Sequence, residues 1–165
     1  MAKKSALTIT LHATGVRETL SAFRALPKDA SAELRKSSLK LAESLAVAAR
    51  AAGKAEGGQA AAVARTVKAR RDRVPSVQAG GSTRVGRKRA PAFALLFGSE
   101  FGMDRRSGWY ARSRYRRSKG SQYEHPHRGR EGAWFFPTIE ARQAQIMREW
   151  QAAADRIIRS FGGTT

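Results

Sequence analysis

The side chains able to do catalytic chemistry are few in this chain, and their spacing does not suit it. The histidines are His12, His125 and His127, and only Glu124-His125-Pro126-His127 gathers two of them beside a carboxylate. Two histidines and a carboxylate form a known type of metal-ligand set. Here a proline separates the histidines within an arginine-rich stretch, and such a run builds no preorganised site. Glu100, beside Phe101, reads as a lone buried acid, whereas acid–base catalysis needs a convergent partner that the sequence does not identify. Cysteine is absent, which excludes thiol nucleophiles, disulfides and cysteine-ligated zinc. The phosphate-binding pattern Gly-x4-Gly-Lys-Ser/Thr does not occur, and Gly80-Gly81 falls in a turn without a following helix to present amides. No serine occupies a Gly-x-Ser-x-Gly elbow. The expectation is a protein that is not an enzyme and carries no metal or cofactor.

Binding is what the remaining residues suit. Lysine and arginine total 32 against 13 acids, a formal charge of +19 over 165 residues. That balance favours polyanionic partners: nucleic acid, an acidic protein surface or an anionic membrane. Between Asp104 and Glu131 nine basic residues face Asp104, Glu124 and Glu131. Within this stretch, basic and aromatic residues interleave as Arg105, Arg106, Trp109, Tyr110, Arg112, Arg114, Tyr115, Arg116, Arg117 and Lys119, with Tyr123 beyond. Arginine neutralises phosphates and aromatic rings stack on exposed bases. Tryptophan, tyrosine and arginine are equally the anchors of protein interfaces, and a solvated loop with locally packed rings has the same composition. A secondary basic segment is Arg84, Arg87, Lys88 and Arg89. No helix-turn-helix, zinc-finger or RNP pattern is present, so sequence-specific readout is not expected.

The elements that must position these residues follow from periodicity. Ser5 to His12 alternates, with Leu7, Ile9 and Leu11 on one side and Thr8, Thr10 and His12 on the other, as in a half-buried strand. Val16, Leu20 and Phe23 recur at helical spacing up to Leu26, and Pro27 interrupts. A longer helix follows, with Leu34, Leu41, Leu45 and Ala48 as a stripe flanked by Leu39, Ala42, Ala46 and Ala49, and Gly53 as its stop. After a break over residues 54–59, Ala60 to Lys68 reads as a short helix whose basic end, from Arg65 to Arg73, complements the helix dipole. Val74-Pro75-Ser76-Val77 reads as an edge strand, given its proline. Gly80 to Thr83 reads as a flexible tip.

Two apolar runs then bracket the basic stretch. Ala92 to Phe97 reads as a strand, and Ala133 to Phe136 as a strand or extended segment, so the pair would hold out the excursion between them as a loop. Pro137 suits the boundary of the last helix or its first turn. In that helix Ile139, Ile146, Trp150, Ala153, Ile157 and Phe161 keep one face, and Gly162-Gly163 ends it. Trp134, Phe135, Phe136 and Trp150 read as core. The fold class is α+β: a small, mostly antiparallel sheet packed by a long helix from the N-terminal half and a C-terminal amphipathic helix, with a long basic loop insertion. The expectation is a single domain over 1–165, with flexible basic segments at about 80–90 and 104–131. No run is long and apolar enough to span a membrane. Lys3 and Lys4 could open a secretion signal, but Thr8, Thr10 and His12 interrupt any apolar region, so no signal peptide is expected. The protein is expected to be made in a cytoplasm.

Taken together, three features resemble the tail-component or neck family of long-tailed bacteriophages, which joins the filled head to the tail. They are the strand-then-long-alanine-rich-helix start, the run Leu95-Leu96-Phe97-Gly98-Ser99-Glu100-Phe101-Gly102, and Gly132-Ala133-Trp134-Phe135-Phe136-Pro137-Thr138-Ile139-Glu140-Ala141 leading into the last helix. The resemblance implies a structural virion subunit at the neck or tail top, forming a homo-oligomeric ring around the DNA channel. It implies a hexamer or a dodecamer, with adjacent connector, head-closure and tail proteins as partners and nonspecific contact with genomic duplex DNA. The family brings no catalytic residues. The long basic insertion between Met103 and Gly132 departs from its pattern. A tail terminator, and from another class a sequence-nonspecific nucleic-acid-binding protein, remain as alternatives. A nuclease using Glu124, His125 and His127 is a third.

Overall fold

The structure is a computed structural model that describes residues 6–86, 89–101 and 132–162. In chain order its elements are β1 (Ala6–Thr10), α1 (Val16–Ala22), α2 (Lys28–Glu56), α3 (Gly58–Ala64), β2 (Lys68–Arg70), β3 (Ser76–Gly80), β4 (Arg84–Val85), β5 (Ala90–Pro91), α4 (Ala92–Phe101) and α5 (Phe135–Gly162). The fold is α+β, with a three-stranded sheet in the order β1-β3-β2 and a two-stranded sheet β4-β5, both antiparallel. No described helix is long and apolar enough to cross a membrane.

The chain divides into two compact units that interleave along the sequence: residues 1–7, 48–67 and 79–139 form one, and residues 8–47, 68–78 and 140–165 the other.

In the second unit, β2 pairs with β3 so that Lys68 faces Gln78, Ala69 faces Val77 and Arg70 faces Ser76. The Leu11 amide donates to the Pro75 carbonyl at 3.1 Å, and the Ser76 hydroxyl donates to Thr10 Oγ1 at 3.0 Å. The strand containing Val77 is therefore central, a correction to its expected edge position. Pro75 stands just before β3, where its missing N–H takes nothing from the ladder while its carbonyl still accepts. The edge belongs instead to β2, whose exposed Lys68 and Arg70 discourage further strand pairing. Those residues were expected to be a basic helix end. Around the sheet, Phe23, Leu34, Leu45, Val74, Ile146, Met147, Trp150 and Ile157 are buried.

Trp150 is fully buried, and its indole N–H is shared between Ser38 Oγ at 3.0 Å and the Arg73 carbonyl at 2.8 Å. The Ser38 hydroxyl itself donates to the Arg73 carbonyl at 2.7 Å. One indole thus ties α5, α2 and the β2–β3 connection together without leaving a buried donor unmet, the condition for burying polar atoms in a core.

In the first unit α3 packs on α4, and Ala60, Val63, Ala64, Leu95, Leu96, Trp134 and Phe135 are buried. Gly53 does not stop α2, which runs on to Glu56. Its role is steric: a Cβ there would lie 2.6 Å from the Ala64 Cβ and 2.7 Å from Trp134 Cε3. Glycine lets the helix backbone approach the indole and α3 within van der Waals contact.

Candidate interaction surface at the base of the basic insertion

Two expectations about the apolar brackets are corrected here. Ala92 to Phe97 is not a strand but the first part of α4, and Phe135 and Phe136 open α5. A six-residue apolar run without a period fits either state, and in this case packing against α3 selects the helix.

The brackets still come together, through Glu100. This glutamate lies in the last turn of α4 and is fully buried. Its carboxylate accepts from the amides of Trp134 at 3.3 Å, Phe135 at 2.9 Å and Phe136 at 2.8 Å. The first amides of a helix have no partner within it and carry the positive end of its dipole. A buried carboxylate there gains charge-assisted bonds that offset its desolvation. Neighbouring contacts fix the joint further. The Trp134 indole N–H donates to Ser99 Oγ at 3.3 Å, the Ser99 hydroxyl to the Leu96 carbonyl at 2.8 Å, and the Thr138 hydroxyl to the Trp134 carbonyl at 2.6 Å. Gly132 has φ +77°, and a side chain there would run into the Glu100 carboxylate. Glycine is therefore required on two counts.

Aromatic rings line the same place. Phe97 stacks on Phe101 with centroids 6.3 Å apart, Phe101 meets Phe136 at 5.5 Å, and Phe136 meets Phe135 edge-on at 5.8 Å. Phe97 is 53% exposed. The chain therefore enters and leaves the segment 102–131 at one fixed base, with an exposed ring beside it.

The basic and aromatic residues of the insertion lie outside the described residues: Arg105, Arg106, Trp109, Tyr110, Arg112, Arg114, Tyr115, Arg116, Arg117 and Lys119. So do Glu124, His125 and His127, as well as Arg87 and Lys88 of the secondary segment. Of that segment the structure places Arg84 and Arg89, both exposed, on the β4–β5 hairpin, where the Arg84 guanidinium donates to the Arg89 carbonyl at 2.9 Å. His12 is exposed just after β1, and its carbonyl accepts from Gln143 Nε2 at 2.9 Å. That bond borders a cavity of about 610 Å3 between the β1–α1 loop and α5, with Met147 and Ala144 in its wall. Among the described residues, no three carboxylate or imidazole groups converge where a metal could be held.

No family model, curated protein or solved structure matches the chain. The site therefore rests on its own geometry.

Residue-by-residue reading of the sequence missed one grouping. Arg65, expected to be one of several basic residues complementing a helix end, borders the same cleft as Arg84 and Arg89. The three are separated by up to 24 positions, and no local period links them. The β-hairpin that folds back toward α3 brings them together.

Proposed function

We propose that this chain is a non-enzymatic structural subunit of a bacteriophage neck, joining the DNA-filled head to the tail as a member of a homo-oligomeric ring. The sequence resemblance over the α4 and α5 brackets suggests it. The observation that supports it most is the Glu100 joint, because it brings the two ends that flank the basic insertion to a single rigid base. A charged segment with an anchored base can reach a neighbour without disturbing the packed units that would form the ring wall. Virion location at the neck or tail top, partnership with connector and tail proteins, and a hexameric ring all belong to this proposal.

Most of the insertion serves docking to an acidic protein neighbour. DNA passing through a channel must slide, and every strong phosphate contact adds salt-dependent hold. The test is assembly. The chain mixed with the connector and tail proteins of its own phage should form a closed ring at their junction. Changing Arg114, Arg116 and Arg117 to glutamate should leave folding intact and abolish that assembly. A chain that stays outside the particle and binds duplex DNA as a monomer or dimer would overturn the reading.

A further inference from the structure

The first unit holds a cleft of about 650 Å3 between the second half of α3 and the β4–β5 hairpin. Arg65, Arg84 and Arg89 stand around it, and all three are exposed. No acidic side chain is among its described lining residues, and the rest of the lining is alanine, glycine, threonine and Val85.

The walls are tied in place. The Thr66 hydroxyl donates to the Val63 carbonyl at 2.6 Å and accepts from the Gly80 amide at 2.9 Å, which joins the end of α3 to the end of β3. The Ala92 amide donates to the Thr83 carbonyl at 2.8 Å and the Phe93 amide to the Gly81 carbonyl at 3.0 Å, which joins the hairpin to α4. Within the hairpin the Arg89 amide donates to the Gly86 carbonyl at 3.1 Å, and Arg89 takes φ +51°, the one positive value among described non-glycine residues. A bulky residue enters that region only where its surroundings demand it. Here the turn and the Arg84 guanidinium bond to the Arg89 carbonyl hold it.

We propose that this cleft takes the phosphodiester backbone of a nucleic-acid duplex, with Arg65, Arg84 and Arg89 as its phosphate ligands. Three features select this occupant. Guanidinium groups offer forked donors that match phosphate oxygens, and three arginines border the cleft with no carboxylate among its described lining residues. The small lining residues offer no deep apolar pocket for the aromatic or aliphatic anchors that a protein partner would insert. None of the described lining residues is aromatic, so they form no stacking platform of the kind single strands use, and a duplex keeps its bases inside. Binding of this kind carries no sequence information. The site goes beyond the ring reading and stands whether or not the subunits close into a ring.

The test is equilibrium binding of the full chain to a mixed-sequence DNA duplex across a range of salt concentrations, beside the triple variant Arg65→Gln, Arg84→Gln, Arg89→Gln. Loss of three phosphate contacts should weaken binding roughly tenfold or more near physiological salt and lower the log–log salt slope by about 2 to 3. The corresponding triple lysine variant keeps the charge and should retain most of that slope. Should the glutamine triple fail to fold by circular dichroism, Arg65→Gln alone carries the test, with a slope change of about 1. Unchanged duplex affinity and slope would overturn the proposal. So would a loss that falls on polyglutamate or on single-stranded DNA instead of the duplex. Assembly of the same variants with the phage connector and tail proteins, scored separately, distinguishes the two claims: assembly together with unaltered duplex binding would sink the cleft alone, and duplex loss with a wild-type chain that never assembles would sink the ring alone.

Discussion

Each unit is organised around one buried polar joint, and the two joints are built from opposite materials. In the second unit a neutral indole, Trp150, shares one N–H between a hydroxyl and a carbonyl. In the first a charged carboxylate, Glu100, collects three helix amides. The indole joint is large and mostly apolar, and what it secures is packing. The carboxylate joint is small and polar and sits where the chain leaves for the basic insertion and returns from it. A neutral joint could have closed a core equally well. A carboxylate at a helix N-terminus additionally sets where α5 begins, and with it the point from which the insertion is held. The contrast separates what packs one unit from what fixes the two ends of the basic insertion in the other.

Removing each joint in turn tests that separation. Trp150→Ala should have the largest effect, about 3–5 kcal/mol of stability lost in denaturant unfolding, from the cavity left in the core. Glu100→Ala should cost about 3 kcal/mol, since it strands buried amides and removes a helix cap. Its signature is local: amide exchange at Trp134, Phe135 and Phe136 should accelerate before global unfolding. If Trp150→Ala produced the same local acceleration, the two joints would not be independent. Gly53→Ala should destabilise by about 1 kcal/mol net, because overpacking against Ala64 and Trp134 outweighs the gain in helix propensity. A stabilised Gly53→Ala variant would show that the indole can shift. Trp150→Phe is the smallest change, about 1 kcal/mol for the lost indole bonds, and should leave exchange at the α5 start untouched.

How legible these joints were in the sequence differs in the same way. The alternation around Leu7, Ile9 and Leu11 marked β1, and the 3.6-residue stripes marked α2 and α5, because amphipathic periods record which face is buried. Trp134, Phe135 and Trp150 were legible as core from their size and position, and all three are buried. The start of α5 was legible only in part: Pro137 marked its first turn, but not that Phe135 and Phe136 already belong to the helix. Its cap comes from Glu100, more than thirty residues upstream, and no local capping residue announces a helix at Phe135. Without that cap, Ala133 to Phe136 looks like an apolar strand, and Ala92 to Phe97 looks the same for want of a period. Glu100 was recognisable as a lone buried acid, and only the fold shows that its partners are backbone amides. Gly53 illustrates the complementary failure. Mid-helix glycine resembles a stop until the indole of Trp134, distant in sequence, is seen to need the space. The cleft arginines fall in this class too, since three positions on α3 and a hairpin become neighbours only through tertiary structure.

The central claim is that the anchored basic insertion serves assembly of a ring. The most direct measurement is cryo-electron microscopy of the chain assembled with its phage connector and tail proteins, for the wild type and for the Arg114→Glu, Arg116→Glu, Arg117→Glu variant. The account predicts a closed ring at the head–tail junction for the wild type, and a folded subunit absent from that junction for the variant. Normal incorporation of the variant, or a wild-type chain that never enters the particle, would contradict it.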